Sequence, residues 1–543
     1  MAIYTLRDLY LHSVNAYSSR CMSSMYGGEC VTFAEFARKV EAEAEMLRMA
    51  GLSSGDKVAL LSNNMPNWAV SYFAAVISGL VIVPILPDFS TPELDMIIRH
   101  CGAKALCCSD KLYTKVSKET IEGLNVVLRT KNCGVIYMKE GVQPGVFTEP
   151  KADDVAAIIY TSGTTSKPKG VMLTHANLVA QVEMDYDLFT IYQSDVFLSI
   201  LPLSHTYECS LGMLLPFYSG ASVVYLDKLP TASTLMPAMR SVRPTIMLSV
   251  PLIIEKIYKS QVRGRFVKNA VLKKMYGWTW FRKMVHREAG RKLRKIFGGR
   301  LRFFGIGGAK LDFDTERFLV EAKFPYGVGY GLTETAPLIA GGIPGKIRFR
   351  STGPVLSRVK ARLDNMNKDT GEGEIVVQSP STMKGYYEDP DATADVFTPD
   401  GWFRTKDIGR FDEEGNLYIL GRIGNMIVGP SGENIYPEEI ESVINSHFLV
   451  TDSIVKENDG KLVAQVYFNE EEAQRRYNDF KESLHALKAE IKAYVNSKVS
   501  KSAQIADVEA QDKAFEKTPT QKIKRFKYVD PRPLKKPDEA ATR

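Results

Sequence analysis

Small hydroxyl residues, glycines and two lysines are concentrated in one short segment, residues 159–170 (Ile-Tyr-Thr-Ser-Gly-Thr-Thr-Ser-Lys-Pro-Lys-Gly). An apolar run precedes this segment and a second apolar run follows it at Val171–Leu173. Backbone N–H groups of small residues can converge on one anion, hydroxyls add donors, and Lys169 adds a positive charge. The segment therefore predicts a polyphosphate-binding loop, and the alternative is a Ser/Thr-rich turn. It lacks the GxxxxGK[ST] spacing of a Walker A loop.

The elements that must position this loop follow an α/β pattern. Helical patterns alternate with short β-branched runs, which predicts an α/β fold with largely parallel sheets. The predicted strands are 58–61, 81–85, 156–160, 196–200, 222–226 and 245–249. Residues 58–87 carry no charge but contain Asn, Gly and Pro, so we interpret them as a buried helix at about 66–77 followed by a buried strand at about 80–85, not as a membrane span.

The pattern changes from about residue 356. Short strands at 360–363, 374–378 and 416–420 lie among Gly, Asp and Pro turns and predict a small β-rich subdomain, with a hairpin turn at 412–416. A new αβ pattern follows Arg422, and a helix with acidic residues in its first turn is predicted from Pro437. We therefore predict a large N-terminal domain over 1–421, with its β-rich subdomain at about 356–421, and a small mobile α+β C-terminal domain over 422–543.

Composition places the chain among ordinary globular proteins. Its 543 residues are 45% hydrophobic and 24% charged, which excludes wholesale disorder, collagen and coiled coil. Seven cysteines without a CxxC pair argue against a disulfide scaffold, a zinc knuckle or a redox motif, and they favour a reducing compartment. Seven histidines without metal-ligand spacing argue against a structural metal.

Positive charge is concentrated in residues 259–300. Fourteen Lys and Arg residues stand there against one acid, Glu288, for a net charge of +13 in a chain whose total is +7. Aromatic residues, including Trp278 and Trp280, are interleaved with them. Two interpretations remain open: solvated amphipathic helices, or a surface for an anionic membrane or polyphosphate. A nucleic-acid partner is disfavoured because no groove-reading motif accompanies the charge.

The 159–170 loop closely resembles the TSGTTxxPKG signature of the adenylate-forming (AMP-binding) acyl-CoA synthetase superfamily. Other motifs of that superfamily recur in the expected order at Gly307–Ala309, Tyr330–Thr335, Gly401–Asp407, Gly421–Arg422, Gly432–Glu441 and Thr518–Lys522. Several ordered motifs at family spacing make chance agreement negligible. The run Phe297–Phe304, the basic segment before it and the loop at 428–432 are most like the long-chain fatty acid–CoA ligase branch.

The resemblance implies a role for each matching residue. ATP phosphates would be bound by Thr161, Ser162, Gly163, Thr164, Thr165 and Lys169, and the nucleoside by Gly308, Ala309, Tyr330, Asp407 and Arg422. Thr333 would donate to the α-phosphate, and Glu334 would hold Mg²⁺. Lys522 would bridge the acyl carboxylate and the ribose–phosphate oxygens, with His205 beside that carboxylate. From the residues alone, Lys522 would be a surface lysine and His205 a structural histidine.

The implied reaction has two steps. The carboxylate of a fatty acid attacks the α-phosphorus of ATP, releasing pyrophosphate, and the acyl group then passes from the adenylate to the thiol of CoA. In the superfamily the C-terminal domain rotates between the two steps. Its hinge position is usually Asp or Lys, whereas this chain has Gly424, which is free to turn but offers no side-chain contact.

Several alternatives stay open. The acceptor could be an acyl carrier protein, the enzyme could stop at the adenylate, or, remotely, the protein could bind nucleotide or acyl groups without catalysis. A fatty acid would need an apolar tunnel, whose walls we expect from Tyr207, Leu211, Met213, Val328 and Gly329. The implied location is cytoplasmic, with peripheral contact of residues 259–300 on the inner face of a membrane.

Overall fold

A computed structural model describes residues 3–161, 168–226, 231–259, 275–429, 433–469, 483–518 and 522–529. Within these ranges the chain is an α/β protein built on two large sheets, as the sequence predicts. All six strands predicted in the N-terminal half are present, with ends that differ by one residue at most.

The first large sheet has eight strands among the described residues. Its central strands run parallel, and only the two outermost pairs are antiparallel. In spatial order the strands are Leu338–Gly341, Tyr326–Gly331, Phe303–Ile306, Ile246–Ser249, Val196–Ser199, Ser222–Tyr225, Cys21–Met25 and Cys30–Thr32.

The second large sheet also has eight described strands. Five neighbouring strands are parallel, and an antiparallel hairpin at one side carries the predicted phosphate loop. The order is Gly385–Tyr386, Lys169–Thr174, Val155–Thr161, Val81–Pro84, Lys57–Leu61, Ala103–Cys108, Val126–Arg129 and Gly134–Met138.

Three smaller sheets follow in the C-terminal half. Four antiparallel strands form the β-rich unit: Lys360–Asp364, Gly373–Gln378, Phe403–Phe411 and Leu417–Arg422. The predicted turn at 412–416 joins the last two, where the Asp412 N–H donates to the Asn416 carbonyl. Beyond the hinge lie the short pair Ile427–Val428 and Asn434–Ile435 and a three-stranded sheet of Val450–Asn458, Lys461–Phe468 and Asp507–Ala510.

Helices cover the sheets. In the N-terminal half the α-helices are Leu6–Ala16, Phe33–Met49, Pro66–Ile77, Thr91–His100, Asp110–Tyr113, Lys118–Glu122, His175–Leu188, Leu215–Ser219, Ala232–Val242 and Pro251–Tyr258. They continue with Thr279–Ile296, Phe313–Glu321, Pro390–Asp395, Pro437–Asn445 and Leu484–Asn496. A π-helix spans Glu208–Leu214, and short 3₁₀ turns span Thr333–Thr335, Ile423–Asn425, Lys501–Ala503 and Arg525–Lys527.

The helix Pro66–Ile77 lies between the two large sheets and contacts both. Its prediction is confirmed, and all its residues except Ile77 are buried because it packs against strands of both sheets. Pro66 at its first turn suits a helix start, where the missing N–H has no intrahelical partner. A further hydrophobic cluster is made only of residues between 427 and 510, which agrees with the domain boundary that we propose near 421–425.

Two of the seven cysteines are joined in the described part of the chain. Cys21 and Cys30 form a disulfide between adjacent antiparallel strands at the edge of the first sheet, with their Cα atoms 5.7 Å apart. The two residues are not register partners, because Cys21 lies opposite Thr32 and Cys30 lies opposite Ser24, with an irregularity in the hairpin between Cys21 and Ser23. The other five cysteines are free, and four of those are buried. In the described part of the chain, no helix combines the length and apolarity needed to cross a bilayer.

Candidate active site

The candidate site forms where strands of both large sheets reach their carboxyl ends. In the first sheet, the strands ending at Ser199, Ile306 and Gly331 lead directly into the segments that carry His205, Gly308 and Thr333. In the second sheet, the strand ending at Thr161 leads into the phosphate loop. Loops at the carboxyl ends of parallel strands lie along one edge, which is where α/β proteins usually bind ligands.

Lys169 stands at the base of the predicted phosphate loop. It is the register partner of Thr161, so the hairpin brings both ends of the loop together. Its Nζ lies 3.9 Å from Oδ2 of Asp389 and 5.0 Å from the ring centroid of Tyr386. Ser162, Gly163, Thr164 and Thr165 lie outside the described residues.

Tyr386 connects this lysine to the motif around Glu334. The Tyr386 hydroxyl donates to Oε1 of Glu334 at 2.9 Å, and the backbone N–H of Met383 donates to the Glu334 carbonyl. Thr333 and Glu334 are half-buried in the 3₁₀ turn that follows the strand Tyr326–Gly331. Sequence reasoning missed Tyr386, because a tyrosine 217 residues from Lys169 carries no signal until the edge strand Gly385–Tyr386 pairs with Lys169–Thr174.

Asp407 binds two predicted partners. Its Oδ2 accepts from the Tyr330 hydroxyl at 2.8 Å, and its Oδ1 lies 3.0 Å from Nε of Arg422. Burial raises the pKa of the Asp407 carboxyl, and the Arg422 charge and the Tyr330 hydrogen bond oppose that shift. The Asp407 charge in turn raises the pKa of Arg422. Tyr330, which the resemblance assigns to the nucleoside, therefore lies beside Asp407.

Lys522 is brought to this cluster from near the C-terminus. Its backbone is tied to Thr518, whose N–H donates to the Lys522 carbonyl at 2.7 Å. Arg525 fastens the following residues by donating to Glu441 at 2.6 Å. Lys522 is exposed to water, yet protein surrounds its ammonium closely enough that desolvation, followed by the Arg422 charge, lowers its pKa. A side chain that projects into an open cleft lined by protein can be both exposed to water and partly desolvated.

The ammonium of Lys522 faces groups of both signs. Asp407 and Glu334 act on its pKa in the upward direction. Burial lowers the pKa of His205 to about 4, so His205 is neutral at pH 7. The Lys522 charge lowers the same pKa further, which indicates that the two side chains lie near each other. The tertiary structure thus brings together His205, Glu334, Asp407, Arg422 and Lys522.

The predicted adenine-binding turn lies beside the small domain. Gly308 has a φ of +87°, a left-handed conformation that favours glycine. Two residues later, the Nζ of Lys310 donates to the Ile419 carbonyl at 3.3 Å and lies 2.7 Å from Oε1 of Glu439. The turn that holds Gly308 and Ala309 therefore contacts both the β-rich unit and the helix Pro437–Asn445.

The predicted acyl-tunnel residues are packed closely. The Tyr207 ring lies over two glycines at the end of the strand Phe303–Ile306: a Cβ at Gly305 would lie 3.0 Å from the Tyr207 hydroxyl, and one at Gly307 would lie 3.2 Å from the ring. Leu211 and Met213 are buried in the π-helix, and Val328 is half-buried. Tyr207 thus occupies space that the glycines leave beside His205.

The cluster suits the chemistry of a phosphate ester and a carboxylate. Three cations, Lys169, Arg422 and Lys522, surround the cleft, and fixed positive charge stabilises developing negative charge in a desolvated site. Within the described ranges, no group of three or more His, Cys, Asp or Glu side chains could hold a metal ion. Glu334 alone fits Mg²⁺, which typically takes one or two carboxylates and completes its shell with phosphate oxygens and water.

Comparison with known proteins agrees with this arrangement. The family described as "AMP-binding enzyme" matches residues 13–387. Long chain acyl-CoA synthetase 7, peroxisomal, of Arabidopsis thaliana is 30% identical over 494 residues, which are 81% of this chain and 70% of that protein. Feruloyl-CoA synthase of Amycolatopsis sp is 31% identical over 429 residues, 77% of this chain and 78% of that protein.

A solved structure shares the fold. O-succinylbenzoate Coenzyme A Synthetase (MenE) from Bacillus subtilis, in complex with AMP, superposes with a TM-score of 0.76 over 96% of this chain and 97% of that chain, at 23% identity. The family match covers well over half of the chain and includes the segments that carry Lys169, His205 and Glu334. The chain therefore belongs to the AMP-binding enzyme family, the superfamily of adenylate-forming acyl-CoA ligases that its sequence motifs resemble.

Proposed function

We propose that the protein activates a long-chain fatty acid with ATP, forms an acyl-adenylate with release of pyrophosphate, and transfers the acyl group to the thiol of CoA. The observation that carries the proposal is the approach of Lys522 to Asp407, Glu334, Arg422 and His205. Joining a carboxylate to a nucleotide phosphate brings two anions together, so the reaction needs fixed positive charge at the reacting atoms. Lys522, which comes from the C-terminal segment, supplies such a charge beside the Asp407–Arg422 pair.

Each residue has a proposed role in the first step. Asp407 accepts hydrogen bonds from the ribose hydroxyls, and Arg422 donates to the same sugar while holding Asp407 in place. Gly308, Ala309 and Tyr330 bind adenine, while Thr161–Thr165 and Lys169 bind the phosphates. Thr333 donates to an α-phosphate oxygen, and Glu334 holds the Mg²⁺ that ATP brings. Lys522 and the neutral His205 orient the acyl carboxylate for in-line attack.

Similar proteins differ in the acid that they are named for. The relative from Arabidopsis thaliana is named for long-chain acids, whereas the one from Amycolatopsis is named for ferulate. The predicted tunnel residues Tyr207, Leu211 and Met213 are apolar or aromatic, and burial of each methylene is worth about 0.8 kcal/mol. Two extra carbons inside such a tunnel would improve kcat/KM by about tenfold.

Product analysis with ATP, Mg²⁺ and palmitate, with and without CoA, tests the function. We expect AMP, pyrophosphate and palmitoyl-CoA, and loss of all three in Lys522→Ala. Lys513→Ala is the matched control, because Lys513 is an exposed lysine of the same C-terminal segment. Release of pyrophosphate without formation of a CoA thioester would indicate that the acceptor is an acyl carrier protein or that the reaction stops at the adenylate. Ferulate as the better substrate would overturn the long-chain proposal.

We also propose peripheral contact with an anionic membrane on its cytoplasmic face. The helix Thr279–Ile296 buries Phe281, His286 and Leu293 against the protein and exposes most of its basic residues on the other side. Trp278 and Trp280 stack beside it and are 51% and 63% exposed. Exposed Trp next to basic residues is typical of proteins that lie at a membrane interface. Residues 260–274 of the basic segment lie outside the described residues.

Vesicle sedimentation tests this contact. The protein should bind phosphatidylcholine vesicles that contain phosphatidylserine and release them in high salt. A Trp278→Ala/Trp280→Ala variant should bind less, whereas Tyr192→Ala, which removes another exposed aromatic residue on a different segment, should bind as the wild type does. Equal binding to vesicles without phosphatidylserine would contradict the proposal.

A further inference from the structure

A buried carboxyl group lies one helical turn after His205, in a segment that the proposed mechanism leaves unexplained. Glu208 opens the π-helix Glu208–Leu214 and is only 1% exposed. Its Oε2 has no hydrogen-bond partner. π-Helical turns are rare, cost stability, and are frequent at functional sites. A buried glutamate at the start of one, three residues after His205, therefore requires an explanation.

The surrounding chain leaves room for this carboxyl. A Cβ on Gly212 would lie 2.8 Å from the carboxyl carbon of Glu208 and 2.9 Å from its Oε1. Real Cβ atoms do not approach so closely, so only glycine allows the Glu208 side chain to fold back along its own helix. The position of the carboxyl is thus set by the π-helix itself.

Ser199 links Glu208 to the segment that carries His205. Ser199 also acts on the Glu208 carboxyl, because its hydroxyl opposes the effect of burial and lowers the pKa of that carboxyl. The same hydroxyl oxygen accepts from Nδ2 of Asn64 at 3.1 Å. Ser199 is the last residue of the strand Val196–Ser199 and lies six positions before His205 in the chain. The three polar side chains therefore form one chain of contacts from the second sheet to the π-helix.

Asn64 fixes the loop between Ser199 and His205 at two further points. Its Nδ2 donates to the Leu201 carbonyl at 2.6 Å, and its Oδ1 accepts from the Leu203 N–H at 2.9 Å. On the other side of His205, the Cys209 N–H donates to the His205 carbonyl at 2.9 Å. His205 is thus held between a loop bound by Asn64 and a helical turn that contains Glu208.

We propose that Asn64, Ser199 and Glu208 form a buried support that positions His205 against Lys522 for acyl-adenylate formation. This inference rests on the proposed function, because it assigns positioning residues to the same reaction centre. None of the three side chains is proposed to touch ATP or the acid. They act through the backbone of residues 199–209.

The charge state of Glu208 gives the support a pH dependence. Burial raises the pKa of Glu208 to about 8, so it is uncharged at pH 7. The groups that face it are Tyr225 on the neighbouring strand and Tyr207 and Cys209 on its own helix, and burial raises the pKa of each of these as well. Beyond them lie Tyr72 on the helix Pro66–Ile77 and Asp185 on the helix His175–Leu188, whose pKa values burial also raises.

Ionisation of Glu208 would therefore place a negative charge among neutral groups. Among the described residues, no lysine or arginine contributes to its pKa shift. A buried carboxylate without a cation is strongly unfavourable, and the segment would rearrange to reach water. His205 would then move away from Lys522, and the adenylation rate would fall as the pH rises through about 8.

The test compares Glu208→Gln, Glu208→Ala, Ser199→Ala and Asn64→Ala in ATP–pyrophosphate exchange. The alanine variants should lose about tenfold or more in kcat, since small misplacements of reacting groups are costly. The KM for ATP should stay unchanged, because Asp407 and Arg422 are untouched. Glu208→Gln keeps the shape of the side chain but removes its ionisable carboxyl. In the pH profile of the adenylation rate, the decrease at alkaline pH should therefore occur at higher pH in Glu208→Gln than in the wild type.

Glu43→Gln is the matched control. Glu43 is also a fully buried glutamate whose pKa burial raises, but it lies on the helix Phe33–Met49 and contacts Cys107. Its variant should keep the wild-type alkaline limb. An unshifted limb in Glu208→Gln, or wild-type kcat in Glu208→Ala, would overturn the inference. A wild type that forms no adenylate would instead overturn the proposed function.

Discussion

Asp407 and Arg422 face each other across two antiparallel strands, as register partners whose side chains also meet, with 3.0 Å between Oδ1 and Nε. Arg422 is the last residue of the strand Leu417–Arg422, and the hinge glycine, Gly424, follows two residues later. The pair therefore anchors the nucleotide site to the strand from which the C-terminal domain departs. A movement at the proposed hinge would start immediately beyond the proposed ribose-binding group.

Arg422→Ala should weaken both ATP binding and the fold. It leaves the Asp407 carboxyl buried without its cation, which costs ~3–5 kcal/mol in a fully buried pair. Because the Arg422 side chain is 45% exposed, we expect a smaller loss, ~1–2 kcal/mol, in the free energy of unfolding. Urea denaturation and the KM for ATP measure the two effects. The control is Arg410→Ala, which removes an exposed arginine of the adjoining strand and should change neither the free energy of unfolding nor the KM for ATP. A wild-type KM for ATP in Arg422→Ala would contradict the proposed ribose role.

Lys522→Ala should separate the two half-reactions. Loss of one fixed cation at the reacting carboxylate should lower adenylate formation by roughly 100-fold or more. Synthetic acyl-AMP supplied with CoA should still be converted to the thioester if, as we propose, the C-terminal domain withdraws Lys522 before that step. Equal losses in both half-reactions, measured by pyrophosphate exchange and by thioester formation, would place Lys522 in a structural role.

Tyr207→Ala should change the preferred acyl group. The ring fills space beside Gly305 and Gly307, so its removal leaves a cavity that a larger acid could occupy. We expect kcat/KM to rise for bulky or longer acids relative to short ones, while the KM for ATP stays the same. A panel of acids from short to long measures the shift. Tyr218→Ala, a half-buried tyrosine outside the site, is the control, and an unchanged substrate order would exclude Tyr207 as a wall of the acyl pocket.

Lys498→Ala should loosen the adenylation arrangement of the two domains. The Nζ of Lys498 lies 3.3 Å from Oδ2 of Asp314, across the boundary between the C-terminal domain and the large one. Partly exposed ion pairs are worth ~0.2–1 kcal/mol, which corresponds to a change of about 1.4-fold to fivefold in the domain equilibrium. The ratio of adenylation rate to thioester rate should fall by that factor, and Lys501→Ala should leave it unchanged. A ratio that rises would show that the pair belongs to the other arrangement.

Glu208 should make stability depend on pH in a defined direction. Its pKa in the folded protein, about 8, lies above the ordinary value of 4.5, so the folded state binds the proton more tightly. Its stabilising contribution is fully present below pH 4.5 and is lost as the pH rises to about 8. The free energy of unfolding of the wild type should therefore fall relative to Glu208→Gln across this interval. Parallel curves for the two proteins in urea denaturation would contradict the raised pKa.

The sequence predicted the elements well where their signals are local. Apolar runs of four to six residues bounded by turn residues specify buried strands, and the strands at 57–61, 155–161 and 246–249 lie where those runs lie. Pro66 before an apolar stretch specifies a helix start in the same way. The order of the motifs also identified the superfamily, because loops that bind phosphate or turn tightly require particular residue types at fixed spacing.

Contacts between distant elements needed the tertiary structure. The Tyr330–Asp407 hydrogen bond joins residues 77 positions apart, and the Lys169–Tyr386 contact depends on an edge strand with no signal of its own. The Cys21–Cys30 bond joins two neighbouring strands in which the two residues are not register partners. The burial of Glu208 at the start of the π-helix is likewise seen only in the folded chain. Sequence thus determines local conformation and residue chemistry, whereas packing decides which groups lose water and meet, and therefore which of them share a reaction.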